Sequence, residues 1–153
     1  MSDETLSAPT SFFRFVVVWH SGSKKHQLGV LRFAGRVLEW QKTTYDDERV
    51  LRDLVRWFNQ NLTAPARLDK VAAIFWFKPQ VAGETELWGK LIELVRLLLK
   101  YRYRVEVVTT KRPGKIVYDD ATQIAAVPFN DTFGASHIVT DNKARAAEGC
   151  REE

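Results

Sequence analysis

Apolar positions along this chain switch between continuous runs, alternation and a three-to-four spacing, and each switch predicts an element. Residues 12–20 (FFRFVVVWH) are rich in aromatic and β-branched side chains and predict a strand. The "SGSKK" that follows has the small residues of a turn. Residues 26–33 then predict a second strand, Ala34-Gly35 a further turn, and 36–42 a third strand, which together make an antiparallel meander. Beyond Thr44 the period lengthens. Val50, Leu51, Leu54, Val55, Phe58 and Leu62 recur every three or four positions, predicting an amphipathic helix from Asp46 to Asn61.

Residues 71–77 (VAAIFWF) are continuously apolar and predict a central strand covered on both faces. Trp88, Leu91, Ile92, Val95, Leu98 and Leu99 give a second helical stripe, over Thr85–Lys100. Tyr103–Thr110 predicts another strand, "KRPG" a turn, and 115–118 with 122–127 a closing hairpin. Large apolar residues thin out from Asn130. The sequence thus predicts a flexible start over 1–10, one α/β domain over 11–129 and a poorly ordered tail over 130–153.

The order β-β-β-α-β-α-β plus a C-terminal hairpin predicts a single α/β (α+β) domain built on a mixed sheet. That order resembles the ribonuclease H-like arrangement at the level of topology. Right-handed crossovers would then set 71–77 and 103–110 parallel to the strands they adjoin. The resemblance also implies carboxylates on the first strand and at the end of the fourth. Those places hold "FRFVVVWH" and "FWFKPQ", with no acid in either, so the chemistry the resemblance implies has no residues to perform it.

At 153 residues and 45% hydrophobic content, the chain has enough material for one real core but not for two. Cys150 is its only cysteine, which excludes an internal disulfide and fits a reducing compartment. The first ten residues carry no basic residue and no apolar run, unlike a secretory leader, and the longest apolar runs fall well short of the roughly 20 residues of a membrane span. A soluble cytoplasmic protein is the expectation.

Charge adds a lead that hydropathy does not. The net charge is +4, yet the twenty residues from Arg96 to Lys115 contain seven basic residues and a single acid, Glu106, so the rest of the chain is net negative. Arg96, Lys100, Arg102, Tyr103, Arg104, Lys111, Arg112 and Lys115 form the candidate partner-binding surface. Tyr101 and Tyr103 interleave with the cations, as in proteins that combine phosphate contacts with base stacking. Helix-end, strand-face and turn positions account for the same cations without a ligand.

Two Tyr-Asp-Asp triplets are the other candidates. Tyr45-Asp46-Asp47, followed by Glu48, lies where the first helix should start, and Thr44 with Asp47 fits a capping pattern. Tyr118-Asp119-Asp120 lies at a turn. A tyrosine with two aspartates in a hairpin is similar to the metal-binding hairpin of reverse transcriptases, but the spacer residue after the tyrosine is missing. Should the clusters 46–48 and 119–120 converge, they would suit a metal-dependent nuclease. His20 and His26 flank the first predicted hairpin without a third spaced ligand, and His137 is remote. "SGSKK" lacks the phosphate-loop spacing, and Glu39 has no partner acid on the preceding strand. With no complete catalytic set, no cofactor and no metal are expected. The expected function is non-enzymatic binding of a macromolecular partner through the basic 96–115 surface. A protein partner, as for an inhibitor or toxin-neutralising module, is favoured over nucleic acid. The alternatives are a nucleic-acid-binding protein and the two-cluster nuclease. An exposed Trp57 at the edge of the first helix would mark an interface.

Overall fold

Ten consecutive residues with a period of two begin the fold. In the computed structural model, which describes residues 11–68, 70–83, 85–129 and 135–140, they form β1 (Phe12–Ser21). Phe13, Phe15 and Val17 face one side of it, and Val16 and Val18 the other. A two-residue turn joins β1 to β2 (Lys24–Gly29), with Gly22 at φ +63°, the left-handed conformation such hairpins require at their first central position.

The next element departs from the predicted meander. Residues 30–40 form helix α1 (Val30–Trp40) instead of the end of one strand and most of another. Val30, Phe33, Ala34 and Val37 are buried at spacings of three, one and three, so the helical period was present in the sequence. Ala34-Gly35 is helix interior, not a turn: Ala34 is fully buried and Gly35 costs helix propensity without breaking the helix. Helix α2 (Tyr45–Asn61) follows, then a single 3-10 turn (Ala66–Leu68) and β3 (Ile74–Phe77). A second 3-10 turn (Pro79–Val81) leads to α3 (Glu86–Lys100), N-capped by Thr85, whose hydroxyl accepts the Trp88 N–H at 3.0 Å. The remaining strands are β4 (Arg104–Thr110), β5 (Lys115–Asp119), β6 (Gln123–Val127) and β7 (Ala135–Ile138).

All seven strands share one sheet, ordered β5-β6-β3-β1-β4-β7, with β2 paired to β1 beside β3. Every pairing is antiparallel. The expected mixed sheet is therefore corrected: β3 and β4 both run opposite to β1, the strand they adjoin. The helical connections do join strands of one direction, β2 to β3 and β3 to β4, but neither of those pairs is hydrogen-bonded, and the ribonuclease H-like order is not reproduced. Within the expected tail, β7 pairs with β4. Residues 130–134 and 141–153 of that tail and the flexible start at 1–10 lie outside the described residues.

The helices lie on one face of the sheet. Their buried residues, among them Leu51, Leu54, Leu91, Leu94, Val95 and Leu98, join Phe13, Phe15, Val17, Phe77 and Val105 in one core. Emptying such a site by Leu→Ala costs about 2–5 kcal/mol. Strand residues alone make the second cluster, Val16, Val18, Trp76, Val108 and Ile124 with Phe12 and Ile74 at its margin. No described helix packs on that face. Among the described residues no helix is long and apolar enough to cross a membrane.

Candidate interaction surfaces

The acidic triplets resolve into local structure. At the start of α2, the Asp47 N–H donates to Thr44 Oγ1 at 3.1 Å, closing half of the predicted capping pattern. Its other half passes through Tyr101: the Thr44 N–H donates to the Tyr101 hydroxyl at 3.1 Å, and that hydroxyl donates to Asp47 Oδ2 at 2.6 Å. Lys100 Nζ also reaches Asp47 Oδ2, at 2.8 Å. The Lys100 and Tyr101 donors hold the Asp47 carboxyl below the ordinary aspartate pKa, and Asp47 raises that of Lys100.

In the second triplet, Asp120 Oδ1 accepts the backbone N–H groups of Thr122 and Gln123, each at 2.9 Å, which shapes the β5–β6 turn. Its Oδ2 accepts the Tyr118 hydroxyl at 2.6 Å. Burial raises the Asp120 pKa, but the donors from Tyr118, Thr122 and Gln123 outweigh it and the net shift is downward. Asp119 points elsewhere and pairs with Lys78 at 2.6 Å.

The two triplets do not converge. The first sits at the N-terminus of α2. The second is tied to the other end, since Gln123 Nε2 donates to the carbonyl of Thr63, just past Asn61, at 2.7 Å. A 17-residue helix separates them by about 25 Å. A two-metal centre needs its carboxylates around ions about 4 Å apart. The expectation of a nuclease assembled from both clusters is thereby corrected, and no group of three metal-ligating side chains occurs among the described residues. His26 pairs across from Trp19, and His20 from Lys25, so the two imidazoles leave the hairpin on opposite faces.

The basic segment does not form one surface. Arg96 is half-buried on α3, and Lys100 is engaged by Asp47. Arg104 projects from the helix-free face and pairs with Glu106 at 2.9 Å. Lys111, Arg112 and Lys115 lie beyond the far end of β4, about 20 Å from Arg104 along seven strand residues. There Arg112 sits over the Phe129 ring at 5.1 Å. The structure keeps only Lys100, Arg102 and Tyr103 together, on the helix side of the sheet.

That end of the sheet also carries exposed aromatic residues, which the charge count did not reveal. Phe33 is their hub: Trp19, Trp40 and Tyr103 pack against it with ring centroids 6.1, 5.9 and 4.9 Å away. Trp40 stays 57% exposed and Trp19 39%, whereas ordinary core packing would have covered them. Trp19 also stacks on His26. Tyr103 donates its hydroxyl to Gln41, which ties β4 to the end of α1. Tyr45, 82% exposed, follows directly on Thr44, whose N–H meets Tyr101. Trp57, the tryptophan singled out from the sequence, is instead half-buried against Phe58 with Lys90 over its ring. Trp19 lies near the end of β1 and Trp40 ends α1, and the sequence pattern, which predicts strand over 36–42, does not distinguish these exposed positions.

Arg102 lies on this rim with an unusual backbone. The N–H of Arg102 bonds the carbonyl of Leu99, and that of Tyr103 the carbonyl of Leu98, so α3 ends in a Schellman motif. The residue after the cap must then be left-handed, a position that strongly favours glycine. Arg102 occupies it at φ +67°, the only described non-glycine residue with positive φ.

Three cations stand on the helix-free face: Arg14, Lys25 and Arg104. Lys25 and Arg104 share the buried Glu106, at 3.4 and 2.9 Å. Arg14 differs. Its guanidinium lies over the Trp76 ring, 5.7 Å from the centroid, and burial lowers its pKa from the ordinary arginine value.

Comparisons with protein-family models, with curated proteins and with solved structures find no match.

Proposed function

We propose that this chain is a non-enzymatic binding module that engages another protein through the sheet end formed by Trp19, Trp40, Tyr45, Lys100 and Arg102. The observation that carries this reading is the pair of tryptophans held on Phe33 yet left in solvent. Rigid aromatic side chains beside arginine are the composition of interface hot spots, because they bury much apolar area at little entropic cost. Arg102 supports the same surface: the chain keeps an exposed arginine where glycine would relieve backbone strain.

Several features favour protein over nucleic acid. The basic segment is split along β4, so it offers no continuous track for successive phosphates. Asp47 and Glu106 already neutralise Lys100 and Arg104. The hydroxyls of Tyr101 and Tyr103 hold Asp47 and Gln41, and the Tyr103 ring packs edge-on against Phe33, so neither tyrosine presents a free stacking platform.

Affinity capture with the wild-type chain should return one stoichiometric protein partner that is lost with Trp40→Ala and with Arg102→Glu, while both variants keep the wild-type melting temperature within a few degrees. Capture that survives both substitutions would remove the surface from consideration. Tight binding of a mixed-sequence oligonucleotide, weakening steeply with salt, would move the function to nucleic acid.

A further inference from the structure

The helix-free face carries a second feature, on the opposite side of β1 from Trp19. Two strands share one edge of β1: β2 pairs with it from Val16 onward, and β3 meets it at Phe13. Between them the sheet has a notch at position 14. Arg14 reaches into it, beside Trp76 of β3 on one side and near Gly29 of β2 on the other, where an added Cβ would lie 3.4 Å from its Nη2. Val16, Ile74 and Phe12 make the surroundings apolar.

Two hydrogen-bond donors in the notch lack acceptors. Among the described residues Arg14 has neither an ion pair nor a hydrogen bond, although Lys25 and Arg104 on the same face have Glu106. Trp76 is 4% exposed, and its indole Nε1 is buried with no partner. Buried donors are nearly always satisfied, and one left open calls for a bound group. Here an unpaired donor of each kind, one cationic and one neutral, falls on the same pair of contacting side chains.

We infer that the Arg14–Trp76 notch is a receptor for the carboxylate of an acidic residue within an apolar peptide segment. A carboxylate matches the planar fork of a guanidinium and keeps an oxygen for a second donor. The indole N–H of Trp76, buried without an acceptor on the ring that Arg14 covers, is the second donor assigned to that oxygen. Charge decides between anions. Lys25 and Arg104 share the single carboxylate of Glu106, so Arg14 is the one of these three cations with no acid beside it among the described residues, which suits one carboxylate rather than a run of phosphates. The apolar surroundings suit aliphatic or aromatic neighbours of the acid in the peptide. The site is independent of the aromatic end, and either could exist without the other.

The test is an NMR titration that follows the indole N–H resonance of Trp76, assigned by its loss in Trp76→Phe. The probe is the capped tripeptide acetyl-Leu-Glu-Leu-amide. A saturable downfield shift is expected, because the indole gains an acceptor, and Arg14→Gln should weaken it at least roughly tenfold. The same peptide with Gln in place of Glu should leave the resonance where it is. If Arg14→Gln fails to give a dispersed spectrum, Arg14→Lys serves instead, and binding weaker than wild type is expected because the fork is gone. The proposal is overturned by an unmoved Trp76 resonance, by an equal response to the glutamine peptide, by undiminished binding in the arginine variant, or by a shift with inorganic phosphate or an oligonucleotide and none with the acidic peptide.

Discussion

Tyr101 and Asp47 lie 54 positions apart in the chain and share a hydrogen bond of 2.6 Å. One hydroxyl thereby serves the start of α2 and the end of α3: it accepts from the Thr44 backbone and donates to the Asp47 carboxylate. A capping interaction that is normally local has been divided between two helices. An acid from one of the two candidate metal clusters is consumed in fastening them.

Removing the hydroxyl should therefore loosen the helix pair. Tyr101→Phe leaves the ring in place but strands the Thr44 N–H and one Asp47 lone pair. A loss of about 1–2 kcal/mol is expected from urea unfolding, with an unchanged m-value. A variant as stable as wild type would show that the shared hydroxyl does not bear on stability.

The same contact sets an acid dependence. The Asp47 pKa is lowered in the folded protein, first by Lys100 and then by Tyr101. Its contribution is therefore complete above the unfolded aspartate value of about 4 and disappears as the pH falls through the folded value. Asp47→Asn should be less stable than wild type at pH 7, with the gap closing below about pH 4. A constant gap from pH 7 to pH 2 would contradict this assignment. Lys100, whose pKa is raised, adds stability that is present below its unfolded value and lost as strongly alkaline pH passes the folded one.

At the β5–β6 turn, Asp120 separates two roles by atom. Asp120→Asn can keep the Oδ1 bonds to Thr122 and Gln123 but presents an amide to the Tyr118 hydroxyl. Asp120→Ala loses all of them. Thermal unfolding should rank wild type above Asn and Asn above Ala, with about 1–2 kcal/mol between the extremes. An alanine variant indistinguishable from wild type would mean that the turn holds without its aspartate.

Arg102 should trade stability against binding. Arg102→Gly relieves the left-handed strain at φ +67° and is expected to raise stability by up to about 1 kcal/mol in denaturant titration, while weakening capture of the partner. A gain in both properties would sever the residue from the proposed surface.

Gly114 shows the opposite constraint. It has φ +126°, and a Cβ there would lie 2.1 Å from the Val127 carbonyl oxygen. Gly114→Ala should cost more than about 2 kcal/mol and detach β5 from β6 first, read as early amide exchange along residues 115–119.

The sequence by itself determined the elements whose signals are local. Strand β1, helices α2 and α3 with their Thr44 and Thr85 caps, strand β4 and the β5–β6 hairpin all follow from spacing and capping chemistry within a few residues. Helix α1 was also written there, but its Val30, Phe33, Ala34 and Val37 stripe was masked by an Ala-Gly pair that reads equally well as a turn. Tertiary structure alone decided the strand order, with β3 and β4 on opposite edges of β1 and both antiparallel to it, because periodicity within a strand says nothing of which strand it pairs with. It also decided which charges remain available. Lys25 and Glu106 meet across 81 positions, and Lys100 finds Asp47 from another helix, while Arg14 has no acid among the described residues. A charge count cannot see such pairings, since the partner that neutralises a side chain is fixed by which strands and helices become neighbours, not by which residues adjoin it in the chain.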